Sequence, residues 1–252
     1  MFEKLLVEKN ITSVGFDLDD TLLGTDPYYI GVRYAVFKNI VDTYFGDSDE
    51  KEDVIRKLED TAFSNYLYTY QHGLQSPLIF DECYDAISGT FPEVLDERTV
   101  GIVEAHTKDF YKKSPDLLPR AVELLNLLAK MDSIKNVFGA TDGLETWSKV
   151  KAKYILESTK LEKFPCFSTD IKVRKDAAWW ESVFSRLHIK PENTLIIGDS
   201  YYADIYSSAL VGVKNAIWIN RYGKSMGDFK EYLLPEGLEV LVVNSIDEIL
   251  EL

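Results

Sequence analysis

Short apolar runs recur along the chain, and each ends at a polar or small residue. They are "SVGF" before Asp17, "NVFGA" before Thr141, "TLIIG" before Asp199, "NAIWI" before Asn220 and "LEVLVV" before Asn244. Near-continuous apolar character over so few residues predicts strands covered on both faces, as in a parallel sheet. Helical spacing fills the intervals. "LPRAVELLNLLAKM" sets Ala121, Leu124, Leu125 and Leu128 on one face, with Pro119 near its start. "AAWWESVFSRLHI" does the same with Trp180, Val183, Phe184 and Leu187. Strand and helix alternating in this way predict a doubly wound α/β core with a parallel sheet.

Between about Gly24 and Ser114 the alternation stops. Four helical stripes follow one another: Ile30, Tyr34, Phe37 and Val41; Ile55, Leu58 and Ala62; Ile79, Cys83 and Ala86; Val100, Val103 and Phe110. "FGDSDEKED", "QHGLQSP" and "SGTFPE" supply turn residues between them. Roughly 90 residues are too many for an ordinary strand connection. The expectation is therefore a core made of residues 1–24 and 115–252, with residues 25–114 inserted after the first strand as a separate helical domain over the site.

Composition narrows the function. The 252 residues carry 28 basic and 42 acidic side chains, a formal charge of −14, which disfavours nucleic acid and anionic membrane as partners. Neither of the two cysteines, Cys83 and Cys166, lies in a CxxC pair or beside a histidine, so free thiols in a reducing compartment fit better than a disulfide scaffold. The start "MFEKLLVEKN" has no cleavage-site pattern, and no window approaches the ~18 uninterrupted apolar residues of a membrane span. A cytoplasmic protein is expected.

The polar residues at the strand ends carry the chemistry. In "SVGFDLDDTLLG", Asp17 and Asp19 alternate along an extended segment and project from the same side of the backbone. One carboxylate there would serve as a helix cap; two repel each other unless a cation lies between them. Asp17, Thr141 and Asp199 each follow a predicted strand, and open α/β sheets bind ligands outside the carboxyl ends of their strands. "GDSYYAD" adds Asp204 at the opening of the next helix. Asp17, Asp19, Asp199 and Asp204 form an oxygen-rich set that suits Mg²⁺ better than zinc or copper.

These segments resemble the haloacid dehalogenase (HAD) superfamily. "DLDDT", "ATDG", "RKD" and "GDSYYAD" follow the family's motif order, and the insertion after the first motif resembles its helical C1-type cap on a Rossmann-like core. The resemblance covers about residues 11–24 and 115–250 of the core. It implies a Mg²⁺-dependent phosphatase acting on a small phosphorylated metabolite, with Asp17 as the nucleophile that forms an aspartyl-phosphate. Asp19 would act as acid and then base. Asp17, the backbone carbonyl of Asp19, and Asp199 would hold the metal, with Asp204 beside them. Thr141 and the amides around Asp142 and Gly143 would bind phosphoryl oxygens. A lysine would bridge nucleophile and phosphate. Here the chain departs from the family pattern, since Asp176 stands where proline is usual. Lys175 is preferred as the cation, with Lys172 and Arg174 as alternatives. Asp142 likewise replaces the more usual asparagine.

The resemblance implies further distinctions. Dehalogenases of the family lack the second Asp, and Asp19 is present. A phosphomutase shares both acids and differs in passing its phosphoryl group to another hydroxyl; a non-catalytic binding protein could retain the fold. His72, His106 and His188 have no triad spacing. Among the aromatic-rich segments of the insertion, Tyr28, Arg33 or His72 could face a substrate, although residues on one helix face more often pack than bind. The segments Gly24 to Asp26 and Lys113 to Asp116 are the expected hinges.

Overall fold

The computed structural model describes residues 2–46, 50–71, 78–170, 172–221, 223 and 234–252. They divide into two compact units, one of residues Met1–Gly24 and Ser114–Leu252 and one of Thr25–Lys113.

The first unit is built on a six-stranded, wholly parallel sheet. Its strands are β1 (Ser13–Phe16), β2 (Asn136–Thr141), β3 (Cys166–Ser168), β4 (Thr194–Gly198), β5 (Asn215–Ile219) and β6 (Glu239–Val243), in the spatial order β3-β2-β1-β4-β5-β6. The strand order reverses on either side of β1, which pairs Ser13 with Asn136 on one flank and with Thr194 on the other. Every residue of β1 is buried. Alternate side chains feed two cores. Val14, Phe16, Leu195 and Ile197 join one with Leu124, Leu125 and Leu128, while Phe138, Ile196 and Ala140 join the other with Trp180, Val183 and Phe184. Gly15 permits this close stacking, because a Cβ there would lie 2.5 Å from the Phe138 ring.

The covering helices are α1 (Phe2–Glu8), α6 (Ala121–Ala129), α7 (Glu145–Ser158), α8 (Ala177–Leu187), α9 (Ser207–Ala209) and α10 (Ile246–Glu251). The helical unit contributes α2 (Thr25–Tyr44), α3 (Lys51–Gln71), α4 (Ile79–Thr90) and α5 (Glu97–Thr107). No described helix is long and apolar enough to cross a membrane.

All five apolar runs are strands, and β3 is a sixth that periodicity does not reveal. The stripe expected on α2 is only half buried. Phe37 and Val41 are in the core with Val36 and Ile40, whereas Ile30 and Tyr34 are 51% and 41% exposed. α3, α4 and α5 all pack against α2, and apart from Thr25 its buried residues lie in its second half. Phe110 is buried, but in a 3₁₀ turn (Phe110–Lys112) beyond α5. Asp176 is the N-cap of α8, accepting from the Trp179 amide at 2.9 Å, so the departure at this position starts a helix.

Candidate active site

Four chain segments meet at the carboxyl edge of the sheet. After β1 the Asp17 amide still donates to the Ile197 carbonyl (2.9 Å), which extends the parallel ladder by one residue and fixes the Asp17 side chain at the strand end. The chain then turns tightly. The amides of Leu22 and Leu23 return to the Leu18 carbonyl, and Asp20 takes a left-handed conformation with φ of 55°. Leu18, Leu22 and Leu23 are fully buried and anchor the turn, leaving Asp19 to project at its rim.

β2 delivers Thr141, whose hydroxyl donates to Asp19 Oδ2 at 3.0 Å. The loop before α8 delivers Lys175. Its ammonium donates to Asp17 Oδ1 (2.6 Å), Asp204 Oδ1 (2.5 Å) and the Ala140 carbonyl (3.2 Å). Beyond β4, a π-helical turn at Tyr201–Tyr206 folds Asp204 back against the strand, where its Oδ2 accepts from the Ser200 amide at 3.0 Å. π-Turns are uncommon and recur at functional sites. Gly198 makes room, since a Cβ there would lie 2.3 Å from Asp204 Oδ2. Asp199 follows Gly198, its carbonyl accepting from Trp218 Nε1 at 2.9 Å.

Asp17, Asp19, Thr141, Lys175, Asp199 and Asp204 are thus brought to one place. Asp142 supports it from outside, accepting from the Lys175 amide at 3.2 Å, and the Gly143 carbonyl accepts from the Ser168 hydroxyl. The alternative cations lie elsewhere. Arg174 is exposed, and Lys172 pairs with Asp170 at 2.5 Å in solvent. Tyr28 and Arg33 are engaged within the helical unit. Tyr28 donates to the Phe110 carbonyl at 3.1 Å, and Arg33 pairs with Glu59 (3.1 Å) and Glu82 (2.6 Å). His106 lies 3.0 Å from the Asn39 amide nitrogen, and His72 lies outside the described residues.

One charged group at the site carries no motif. Lys151 on α7 is buried and ion-paired to Asp19 Oδ1. Its sequence signal is a lysine one turn after Trp147 on the inward face of a helix.

Two buried acids, Asp17 and Asp204, share the Lys175 ammonium while Asp199 and Asp19 lie near them, and the electrostatics follow from that imbalance. Burial raises Asp17 well above its ordinary carboxyl value; Lys175 opposes this, and Asp204, Asp199 and Asp19 push it up again. Burial also raises Asp204, against Lys175 and the Ser200 amide. Asp199 rises to about 7, first through burial and then through Asp204, with Lys175 opposing. Burial alone would lower Lys175, but Asp17, Asp204 and Asp142 outweigh it and hold the ammonium firmly protonated. Excess carboxylate calls for a further cation. Asp17, Asp199 and Asp204 each offer an oxygen within 4.8 Å of the others. This all-oxygen set fits a hard divalent ion. Because both Asp204 oxygens already have partners, Asp17 and Asp199 are the better direct ligands.

Comparison with known proteins agrees with this geometry. No protein-family model matches the sequence. The glyceraldehyde 3-phosphate phosphatase of Pyrococcus furiosus is 26% identical over 245 residues, 92% of this chain and 94% of that protein. Among solved structures, a magnesium-bound HAD-hydrolase of Bacillus subtilis superposes with a TM-score of 0.63 at 19% identity, covering 96% of this chain and 97% of the other. A HAD phosphatase of Thermococcus onnurineus gives 0.57 at 17% identity with the same coverage. The L-2-haloacid dehalogenase of Xanthobacter autotrophicus gives 0.52 at 14%, covering 95% and 96%. The parallel sheet, the four motifs in order at its carboxyl edge and a relative matched along nearly the whole chain make the protein similar to the haloacid dehalogenase superfamily in fold and in the placing of its motifs.

Proposed function

We propose that the protein is a Mg²⁺-dependent phosphatase that hydrolyses a small phosphorylated metabolite through an aspartyl-phosphate. The carrying observation is Asp19, held at the site by Thr141 and Lys151 beside the Asp17–Lys175 pair. Related structures include both dehalogenases and phosphatases, and the leaving group distinguishes the two chemistries. A halide departs as a weak base and needs no proton, whereas an alkoxide does. A second carboxyl group suits the alkoxide.

In the first step an Asp17 oxygen bonds to phosphorus, the ester P–O bond breaks, and a proton on Asp19 passes to the departing oxygen. In the second, a water oxygen bonds to phosphorus, Asp19 takes its proton, and the P–O bond to Asp17 breaks. Ester and water become alcohol and phosphate, and both aspartates are restored. Thr141 donates to a phosphoryl oxygen. Lys175 keeps its charge throughout, orienting the Asp17 oxygen and offsetting its repulsion by the phosphate. Asp17, Asp199 and the Asp19 carbonyl, with Asp204 behind them, would hold a Mg²⁺ ion, which when bound would supply further charge neutralisation.

The Pyrococcus relative suggests a three-carbon phosphorylated aldehyde as the first substrate to try. The helical unit Thr25–Lys113, inserted directly after the Asp19 turn, is assigned the selection of the leaving group. Both cysteines are free, and the reducing cytoplasm is the proposed location. The test is phosphate release from glyceraldehyde 3-phosphate, phosphoglycolate, nucleotides and an aryl phosphate, with Mg²⁺ or chelator. Asp17→Asn is expected to lower turnover on the order of 10⁴-fold, as removal of a nucleophile does. Turnover indifferent to Asp17→Asn or to chelation would overturn the assignment.

A further inference from the structure

Lys151 lies on the face of α7 that also buries Trp147, Ser148, Ala152 and Ile155. A lysine 1% exposed at such a position requires an anionic partner. Asp19 is that partner. The ammonium pairs with Asp19 Oδ1, while Oδ2 accepts from Thr141 at 3.0 Å. The Trp147 ring centroid lies 3.3 Å from the same nitrogen and covers another side of the charge. Lys175 is engaged by Asp17, Asp204 and the Ala140 carbonyl. Asp17 and Asp19 therefore each have their own lysine, supplied by different segments.

We infer that Lys151 is a positioning residue for Asp19: by pinning Oδ1 it leaves Oδ2 as the oxygen that exchanges protons with the leaving group and the water. The inference rests on the phosphatase reading. Oδ2 is the oxygen on the Thr141 side, where the phosphoryl group is to bind. When that hydroxyl turns to a phosphoryl oxygen, Oδ2 is released while Oδ1 stays held. The O–H bond on Oδ2 breaks as the ester P–O bond breaks, and it re-forms with a proton of the attacking water. Lys151 acts through Asp19 and touches neither substrate nor phosphorus. Without it Oδ1 loses its ion pair, and the loss falls on substrates whose leaving oxygen needs a proton.

The experiment compares p-nitrophenyl phosphate, whose phenolate leaves unaided, with glycerol 3-phosphate, whose alkoxide does not. Lys151→Met is expected to lower kcat for glycerol 3-phosphate about tenfold more than for the aryl ester, with KM changed by less than about twofold. Lys151→Arg should restore most of the difference. In an Asp19→Asn background, Lys151→Met should add nothing, because both changes remove one function. Should Lys151→Met fail to fold, Lys151→Gln carries the same comparison. Equal losses on both esters, a rise in KM alone, or an independent loss on top of Asp19→Asn would overturn the role. A second readout does not depend on turnover: the ¹⁵N resonance of the buried Lys151 ammonium should shift on Asp19→Asn, and an unmoved resonance would refute the pair. Wild-type protein that releases phosphate from neither ester would remove the phosphatase reading and the proton-exchange role with it, while a shifted resonance would still establish the pair.

Discussion

Lys175 is 2% exposed and shared between two carboxylates that are themselves buried, so replacing it leaves both without their cation. Lys175→Met is expected to destabilise the metal-free protein by about 3 kcal/mol at pH 8, the usual cost of removing one partner from a buried ion pair. The loss should be smaller at pH 5, because burial shifts the carboxyls of Asp17 and Asp204 toward the protonated form, which does not need the cation. Urea unfolding with chelator at the two pH values measures both. In sequence this lysine was preferred, with Lys172 and Arg174 kept as alternatives because one residue of loop length decides which of them turns inward. Lys151 was hidden differently. Lys149, Lys151 and Lys153 alternate with other residues and read as one solvated run, yet Lys149 and Lys153 pair with the exposed Glu145 and Glu157 while Lys151 alone of the three faces the core. A count of the α7 face from Trp147 would have found it. Asp17, Thr141 and Asp199 were legible because each directly follows a short apolar run, and Asp19 because it alternates with Asp17.

Among the secondary elements, the π-turn after β4 is the least tolerant of change. It returns Asp204 so closely that the absent side chain of Gly198 is part of its geometry, and Asp204 cannot retreat because Lys175 and the Ser200 amide hold its oxygens. Gly198→Ala is therefore expected to cost about 2 kcal/mol, as overpacking does. It should also lower Mg²⁺-dependent turnover by displacing Asp204 and, through it, Lys175. Chemical denaturation and phosphate release check the two effects, and an alanine variant with wild-type values for both would refute the geometry. A sequence shows Gly198 before this turn and Asp204 within it, but not its wide hydrogen bonding. β3 escaped for a related reason. Three residues, "CFS", pair with only one neighbouring strand and are too few to show a period. Pattern predicts burial unevenly: β1, β2, β4 and β5 are enclosed along nearly their whole length, whereas β6, expected to be covered on both faces, leaves Leu241 and Val242 37% and 51% exposed, and α2 is buried mainly over its second half.

At the scale of the whole protein, the acidic site links stability to pH and metal. Below the ordinary carboxyl value of 3.8, Asp199 is neutral in folded and unfolded chains alike. As the pH rises the unfolded chain ionises first, while folded Asp199 keeps its proton until about 7. The folded state binds more protons across that window and so loses stability through it as pH rises. A bound divalent cation reverses the trend by favouring the ionised carboxylates. Mg²⁺ should therefore raise the Tm more at pH 8 than at pH 5.5, and its binding near neutral pH should release protons. Thermal unfolding with Mg²⁺ or chelator, and titration calorimetry in buffers of different ionisation enthalpy, measure these effects; equal Tm increments at both pH values would contradict the site.

The segments flanking the helical insertion are hydrogen-bonded to each other, Gly24 N to the Asp116 carbonyl at 2.9 Å and Leu118 N to the Leu22 carbonyl at 2.8 Å. The chain thus leaves the sheet and comes back at one place. β1 must find β2 across the whole insertion, a closure whose entropic cost grows with the length of chain left disordered between them. Once Thr25–Lys113 has condensed through its own local helical contacts, that separation collapses to a short tether. For the folding polypeptide the insertion is thus a splint: its condensation makes a distant strand pairing nearly local and lowers the entropic cost of closing the sheet.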